Sequence, residues 1–202
     1  MNLNMLLSKS EKRISQLNPI VANKTRELIR KSYAEGINIL ITQGMRTFEE
    51  QAELYARGRT KSGTIVTNAK AGYSFHNYGL AIDFCLLADD GVNVLWTVND
   101  KWRRVAEIGK SLGFVWGGDW KGFVDYPHLE MTFGLTINDL LNGKQPPVEL
   151  EDDIPMLDKG VAQTIINTWI SPAWYNTEDQ EQKKYLNWLA NQLRLASGMK
   201  VE

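Results

Sequence analysis

Two histidines, His76 and His128, are the only imidazoles in the 202-residue chain, and each lies close to acids. Asp83 follows His76 by seven residues; Asp125 precedes His128 by three and Glu130 follows it by two. From Gly79 the sequence alternates. Gly79, Ala81 and Asp83 fall on one face of an expected strand, and Leu80, Ile82 and Phe84 on the other. One face is greasy and packs on a core; the other is small, small, acid. After Pro127 a second alternation sets His128, Glu130 and Thr132 against Leu129, Met131 and Phe133. Two strands therefore offer ligands on faces turned away from the core. A catalytic zinc takes three N/O ligands and keeps one position open for water. His76, Asp83 and His128 supply that set and leave about one positive charge to acidify bound water. Gly79 and Ala81 are expected to keep the metal's side clear.

A base must accept the water's proton. Asp125 is in reach if the Tyr126-Pro127 turn folds it back toward the metal. Glu130, on the face of His128, is its rival as base, or else a hydrogen-bond acceptor to a ligand. Arg46 lies on a loop after the first expected strand, and its planar fork suits a substrate carboxylate or a polarised carbonyl oxygen. Trp116 and Trp120, in a glycine-punctuated segment, read as cleft walls for substrate or as core. Cys85 falls on the Asp83 face, where a small buried thiol is commoner than a ligand.

The elements that must hold these residues are short. A helical pattern runs over 8–35, capped by Ser8 or Ser10, divided at Pro19 and ended by Gly36. INILIT (37–42) is β-branched and reads as a strand. Thr47 with Glu50 forms a capping box that opens a helix. Residues 57–73 are a polar loop, Asp89-Asp90-Gly91 is a turn, and Asn99 or Asp100 caps a helix. Residues 1–142 thus form one α+β domain: a small antiparallel sheet with helices on one face and a zinc cleft on the other. Residues 143–155, rich in Pro and acids, read as a linker. Residues 156–202 read as a helical hairpin serving docking or oligomerisation. Its expected apolar faces are Val161, Ala162, Ile165, Ile166 and Trp169, a break at Pro172, then Tyr185, Leu186, Trp188, Leu189 and Leu193.

Composition excludes several classes. Lys+Arg number 23 against Asp+Glu 24, a net charge of -1, which argues against a nucleic-acid binder or a polybasic membrane anchor. No stretch approaches the ~20 apolar residues of a membrane span. The N-terminus lacks the apolar core of a signal peptide, so synthesis in the cytoplasm is expected, with any export needing another agent. A single cysteine excludes an intrachain disulfide.

SFHNYGLAID (74–83) resembles the S-x-H-x-x-G-x-A-x-D motif of the zinc peptidases related to D-Ala-D-Ala carboxypeptidases, and DYPH (125–128) resembles their acid-x-x-H motif. GMRT with Gln51 and Leu54-Tyr55 is similar to the G-x-R-[ST]…Q…LY segment of that family. The loop up to His76 and WGGDWKGFVDYPHLE look like the branch of L-alanyl-D-glutamate endopeptidases found in phage endolysins and wall-lytic enzymes. The acid is the departure, because the carboxypeptidase branch usually has Glu where this chain has Asp125; the endopeptidase branch is compatible with Asp. The resemblance covers residues ~10–135. It implies Zn²⁺ held by His76, Asp83 and His128, Asp125 as catalytic acid/base, Arg46 as a catalytic and substrate contact, and Gln51 and Ser74 as supporting polar groups at the substrate. It further implies a peptidoglycan substrate, cut between L-Ala and D-Glu by a phage or prophage endolysin or wall-lytic enzyme; accumulation in the host bacterial cytoplasm before release to the cell wall is then expected, and residues 156–202 also read as a wall-binding module. The alternatives are a D-Ala-D-Ala carboxypeptidase on the same fold and a non-catalytic wall-binding or structural phage protein.

Overall fold

The computed structural model describes residues 2–148 and 157–200. The chain divides into two compact units, Met1–Glu149 and Leu150–Glu202. Most of the expected linker, from 149 to 155, lies outside the described residues, as does residue 156 at the start of the expected tail.

In the first unit, α1 spans Leu3–Ile14 and α2 spans Pro19–Ala34. The helical pattern therefore begins five residues earlier than the sequence suggested. The cap is Asn2, whose side chain accepts from Met5 N, rather than Ser8 or Ser10. Ser10 is instead fully buried, and its Oγ accepts the Ile41 amide at 3.2 Å. Asn18 caps α2 with Pro19 at its first position, where a missing N–H costs nothing. Strand β1 (Ile39–Gln43) follows, then α3 (Phe48–Ala56), opened by the reciprocal Thr47–Glu50 capping box.

Residues 57–73 contain neither helix nor strand beyond an isolated bridge between Arg57 and Lys61. Arg59 pins this loop. Its guanidinium lies 4.1 Å from the Tyr55 ring centre and donates to Thr67 O and Asn68 Oδ1. A 3-10 turn, Phe75–Tyr78, leads into β2 (Ala81–Leu87). A hairpin turned by Asp90, whose Oδ1 accepts the Val92 and Asn93 amides, brings in β3 (Val94–Leu95). Then come α4 (Asp100–Ser111, capped by Asn99), β4 (Val115–Trp116), a 3-10 turn at Gly117–Asp119, β5 (His128–Glu130) and α5 (Ile137–Leu141). Strands β3 and β4, two residues each, and α5 carry too little periodicity to be read from sequence.

The sheet order is β1-β2-β5-β4, with β3 on β2, and every pairing is antiparallel. The expected face of β2 is buried: Leu80, Ile82 and Phe84 have no exposure, and the Phe84 ring centre is 4.9 Å from that of Trp102 on α4. Burial of these apolar side chains anchors the strand, each contributing about 1.5–3 kcal/mol. The opposite face holds Asp83.

The second unit comprises α6 (Lys159–Ile165), a π-helical turn (Ile166–Ile170), α7 (Ser171–Asn176) and α8 (Gln180–Ala196). Its core is Ile166, Ile170 and Ala190, with Leu186, Leu189 and Leu193 packed against it, and Ala162 is also buried. The expected faces are thus corrected. Val161, Trp169, Tyr185 and Trp188 are exposed; at Trp169 the π turn inserts an extra residue and leaves Ile166 and Ile170 as the buried stripe. Pro172 does not break the helix; it sits in the first turn of α7, where proline is tolerated. No described helix is long and apolar enough to cross a membrane.

Candidate active site

Register builds the centre. Asp83 on β2 pairs directly with His128 on β5. His76 arrives from the 3-10 turn just ahead of β2. Asp83 Oδ1 lies 3.3 Å from His76 Nε2 and 3.3 Å from His128 Nδ1, and those two nitrogens are 3.2 Å apart. The ligand atoms of all three residues fall within 4.8 Å of one another.

The outer ring nitrogens fix the tautomers. His76 Nδ1 is 2.8 Å from the Gly44 carbonyl, which can only accept, so Nδ1 carries the proton and Nε2 presents a lone pair. His128 Nε2 is 3.0 Å from Glu130 Oε2, so its proton lies there and Nδ1 presents the lone pair. In these tautomers two imidazole lone pairs and a carboxylate oxygen converge on one point. Such a donor set repels itself unless a cation sits in the middle, so the three residues fit a metal ion. The titration behaviour agrees. Burial opposes a charged His128, yet hydrogen bonds and charge from Asp83 and Glu130 raise it to about 9. Burial likewise pushes the Asp83 carboxyl up, but the two imidazoles overcome this and hold it far below the usual carboxylate range. Without a metal, a proton on His128 fills the same electrostatic role.

A cleft of about 400 Å³ opens on this centre. Asp125 lines it, brought back by the turn at 125–127. The indole N–H groups of Trp102 and Trp116 both donate to the Tyr126 carbonyl, at 3.0 and 2.8 Å. The Asp125 amide donates to Gly117 O at 3.0 Å. A side chain at Gly117 would place its Cβ 2.5 Å from Asp125 O, so only glycine lets the two segments approach. The Asp125 carboxyl is pushed up, first by burial and then by the charge of Asp83, against the pull of His128, His76 and Arg46. A carboxylate that holds its proton more tightly is a better base.

Arg46 lines the same cleft with 13% side-chain exposure. Its Nη1 donates to Gln51 Oε1 at 2.7 Å, its Nη2 is 4.0 Å from Asp83 Oδ2, and its buried Nε has no hydrogen-bond partner. Gln51, expected at the substrate, is fully buried behind Arg46 and does not line the cleft. Its Nε2 donates to Ala69 O at 2.7 Å, tying the arginine to the 57–73 loop. Ser74 and Trp120 line the cleft, and the Trp120 ring centre is 5.0 Å from that of His128. Trp116 is a correction: it is 5% exposed, packs on Tyr126 and takes no part in the cleft wall.

Gly79 is another correction. It ends the 3-10 turn at φ 67°, and an added Cβ would lie 2.9 Å from Asn18 N, not in the metal's space. Glu130, weighed as a base, is occupied as acceptor to His128. Cys85 is buried, its thiol pushed up to about 11 by burial, and it belongs to the core. The sequence reading passed over Tyr73 and Phe123, exposed aromatics on the cleft rim. It also passed over Asn77, whose Nδ2 donates to Arg46 O and Thr47 O while its Oδ1 accepts from Gly72 N. A carboxamide immediately after a candidate ligand was the signal available for Asn77.

Residues 67–131 match a family model described as D-alanyl-D-alanine carboxypeptidase. The chain is 53% identical over 125 residues to the peptidoglycan L-alanyl-D-glutamate endopeptidase CwlK of Bacillus subtilis (strain 168), covering 58% of this chain and 74% of that protein. It is 36% identical over 128 residues to the L-alanyl-D-glutamate peptidase of Listeria phage A118, covering 62% of this chain and 42% of that one. Among solved structures, the Serratia marcescens L-Ala D-Glu endopeptidase ChiX aligns at 26% identity and a TM-score of 0.47, over 62% of this chain and 88% of its own. With His76, Asp83 and His128 gathered beside Asp125, and with this degree of identity, the chain belongs to the D-alanyl-D-alanine carboxypeptidase-related peptidase family that includes the L-alanyl-D-glutamate endopeptidases.

Proposed function

We propose that the protein is a zinc-dependent peptidoglycan endopeptidase that hydrolyses the L-Ala–D-Glu bond of the stem peptide. The observation that carries this reading is the converging His76–Asp83–His128 donor set, with Asp125 and Arg46 in the same cleft. The relatives named above, both L-alanyl-D-glutamate peptidases, support the choice of bond. Catalysis is assigned to residues 1–142, where every one of these side chains lies.

Zn²⁺ held by His76 Nε2, Asp83 and His128 Nδ1 supplies Lewis acidity toward the scissile carbonyl and toward water. The residues of the chain do the rest. Glu130 and the Gly44 carbonyl keep the two imidazoles in the ligating tautomer. The Asp125 carboxylate takes the proton from the attacking water and returns it to the D-Glu nitrogen as the amine leaves. Burial and the Asp83 charge, which raise its proton affinity, suit it to both halves of that transfer. Arg46, held by Gln51, has Nη2 for the oxyanion or for the free carboxylate of D-Glu. Trp120 and Phe123 line the cleft beside them, Phe123 at its exposed rim.

The reading is tested on a synthetic stem peptide with the purified, zinc-loaded protein, by identifying the new termini. A C-terminal L-Ala with an N-terminal D-Glu is expected. Release of free D-Ala would assign a carboxypeptidase instead.

A further inference from the structure

A second groove, of about 910 Å³, lies against the active-site cleft, and Arg46 lines both. Its other walls are the last turn of α1, with Lys12 and Arg13, and the outer face of α3, with Glu49, Glu53 and Arg57. The same close packing that builds the metal centre places it there. The Arg13 carbonyl sits where a Cβ on Gly44 would be, at 2.2 Å, and the Gly44 carbonyl in turn holds His76. The basic end of α1 is therefore fixed in position relative to the site.

The charge pattern of the groove is uneven. Glu53 is taken by Lys61, and Glu50 by the capping box at Thr47. Lys12, Arg13 and Arg57 have no ion-pair partner among the described residues. Lys12, Arg13 and Arg57 thus face two carboxylates that no cation pairs among the described residues, Glu49 and Glu50. On the D-Glu side of the cut, a stem peptide continues through a diamino acid to a terminal D-amino acid. It carries the D-Glu carboxylate, a terminal carboxylate and, where the diamino acid is diaminopimelate, a side-chain carboxylate beside the side-chain amine. An endopeptidase, unlike an enzyme that trims a terminus, must let that continuation leave the cleft.

Building on the endopeptidase reading, we propose that this groove is the subsite for the stem residues beyond D-Glu, with Lys12 and Arg13 receiving the carboxylates of the diamino acid and the terminal residue. Arg46 then stands at the junction, where the D-Glu carboxylate passes from cleft to groove. Exposed charge pairs each contribute up to about fivefold in affinity, so two of them give a measurable preference for longer stems.

The test compares two N-acylated peptides, L-Ala–γ-D-Glu and L-Ala–γ-D-Glu–meso-diaminopimelate–D-Ala, cleaved by the full chain loaded with zinc. The wild type should favour the tetrapeptide, through KM rather than kcat. In the double variant Lys12→Ala/Arg13→Ala the ratio of kcat/KM, tetrapeptide over dipeptide, should fall about tenfold. Arg13→Glu should lower that ratio further, and added salt should lower it in the wild type. A ratio that stays within about twofold in both variants overturns the subsite, as does a variant that loses both peptides equally. If the wild type cuts neither peptide between L-Ala and D-Glu, the endopeptidase reading falls and the subsite with it.

Discussion

Asp83 and His128 stand opposite each other in the antiparallel β2–β5 pair, with Asp83 Oδ1 3.3 Å from His128 Nδ1. Two of the three candidate metal ligands are thus set by strand register, and a one-residue slip would turn one of them into the core. Because these ligands are built into the sheet, removing one should cost metal without unfolding the domain. His76→Ala and Asp83→Ala are expected to lose both bound zinc and cleavage while keeping the wild-type far-UV circular dichroism. Metal analysis of the purified variants checks this.

Glu130 holds His128 in its ligating tautomer through Nε2. Glu130→Ala should weaken zinc affinity by about 10–100-fold, the usual range for an outer hydrogen-bond partner of a ligating histidine. Competition with a chelator of known affinity measures it. If Glu130 were instead the base, its loss would abolish turnover and leave affinity intact.

Proton and metal compete for His128. Its raised value, about 9, means that the metal-free protein carries a proton there at neutral pH. Zinc must displace that proton, so apparent affinity should rise about tenfold per pH unit up to about pH 9 and level off above it. Calorimetry at pH 7 in buffers of different ionisation enthalpy should report close to one proton released per zinc. Binding at pH 7 with no proton release would contradict the assignment.

Gln51 acts on the substrate only through Arg46, to which it gives its Oε1. Gln51→Ala leaves a buried guanidinium donor unpaired and frees the 57–73 loop at Ala69, costing about 1–3 kcal/mol of stability. It should also lower kcat/KM. Gln51→Glu, which keeps an acceptor for Arg46, should recover more of kcat/KM than Gln51→Ala. Denaturant midpoints and steady-state kinetics separate the two effects.

Gly79→Ala tests the corrected role of that glycine. A left-handed φ of 67° and a Cβ 2.9 Å from Asn18 N both oppose a side chain. The αL penalty alone is about 1–2 kcal/mol, and the clash adds to it. The thermal midpoint should fall, with zinc stoichiometry unchanged in the protein that remains folded. A stable variant with lost metal would restore the reading that Gly79 clears the metal's space.

The geometry of the candidate metal centre was the most legible part of the sequence. Alternation assigned Asp83 and His128 to the faces away from the core, because a two-residue period translates directly into side-chain direction. What lay beyond sequence was whatever depends on long-range approach. The meeting of Gly117 with Asp125, and of Gly44 with Arg13, involves backbone from segments that no local pattern relates. Two indoles on the Tyr126 carbonyl come from α4 and β4, so sequence left Trp116 open between cleft wall and core, and the structure makes it a brace behind the wall. In the second unit the π turn shifted the buried stripe, which a pattern counted at 3.6 residues per turn misses.

The most direct test of the central claim is a paired measurement on Asp125→Asn: zinc content and cleavage of a stem peptide from the same sample. With Asp125 as the proton carrier and not a ligand, the variant should hold one zinc per chain, and its kcat should fall by about 10²–10⁴-fold. Loss of zinc together with activity would make Asp125 a ligand. Full zinc with near-wild-type turnover would remove it from the mechanism.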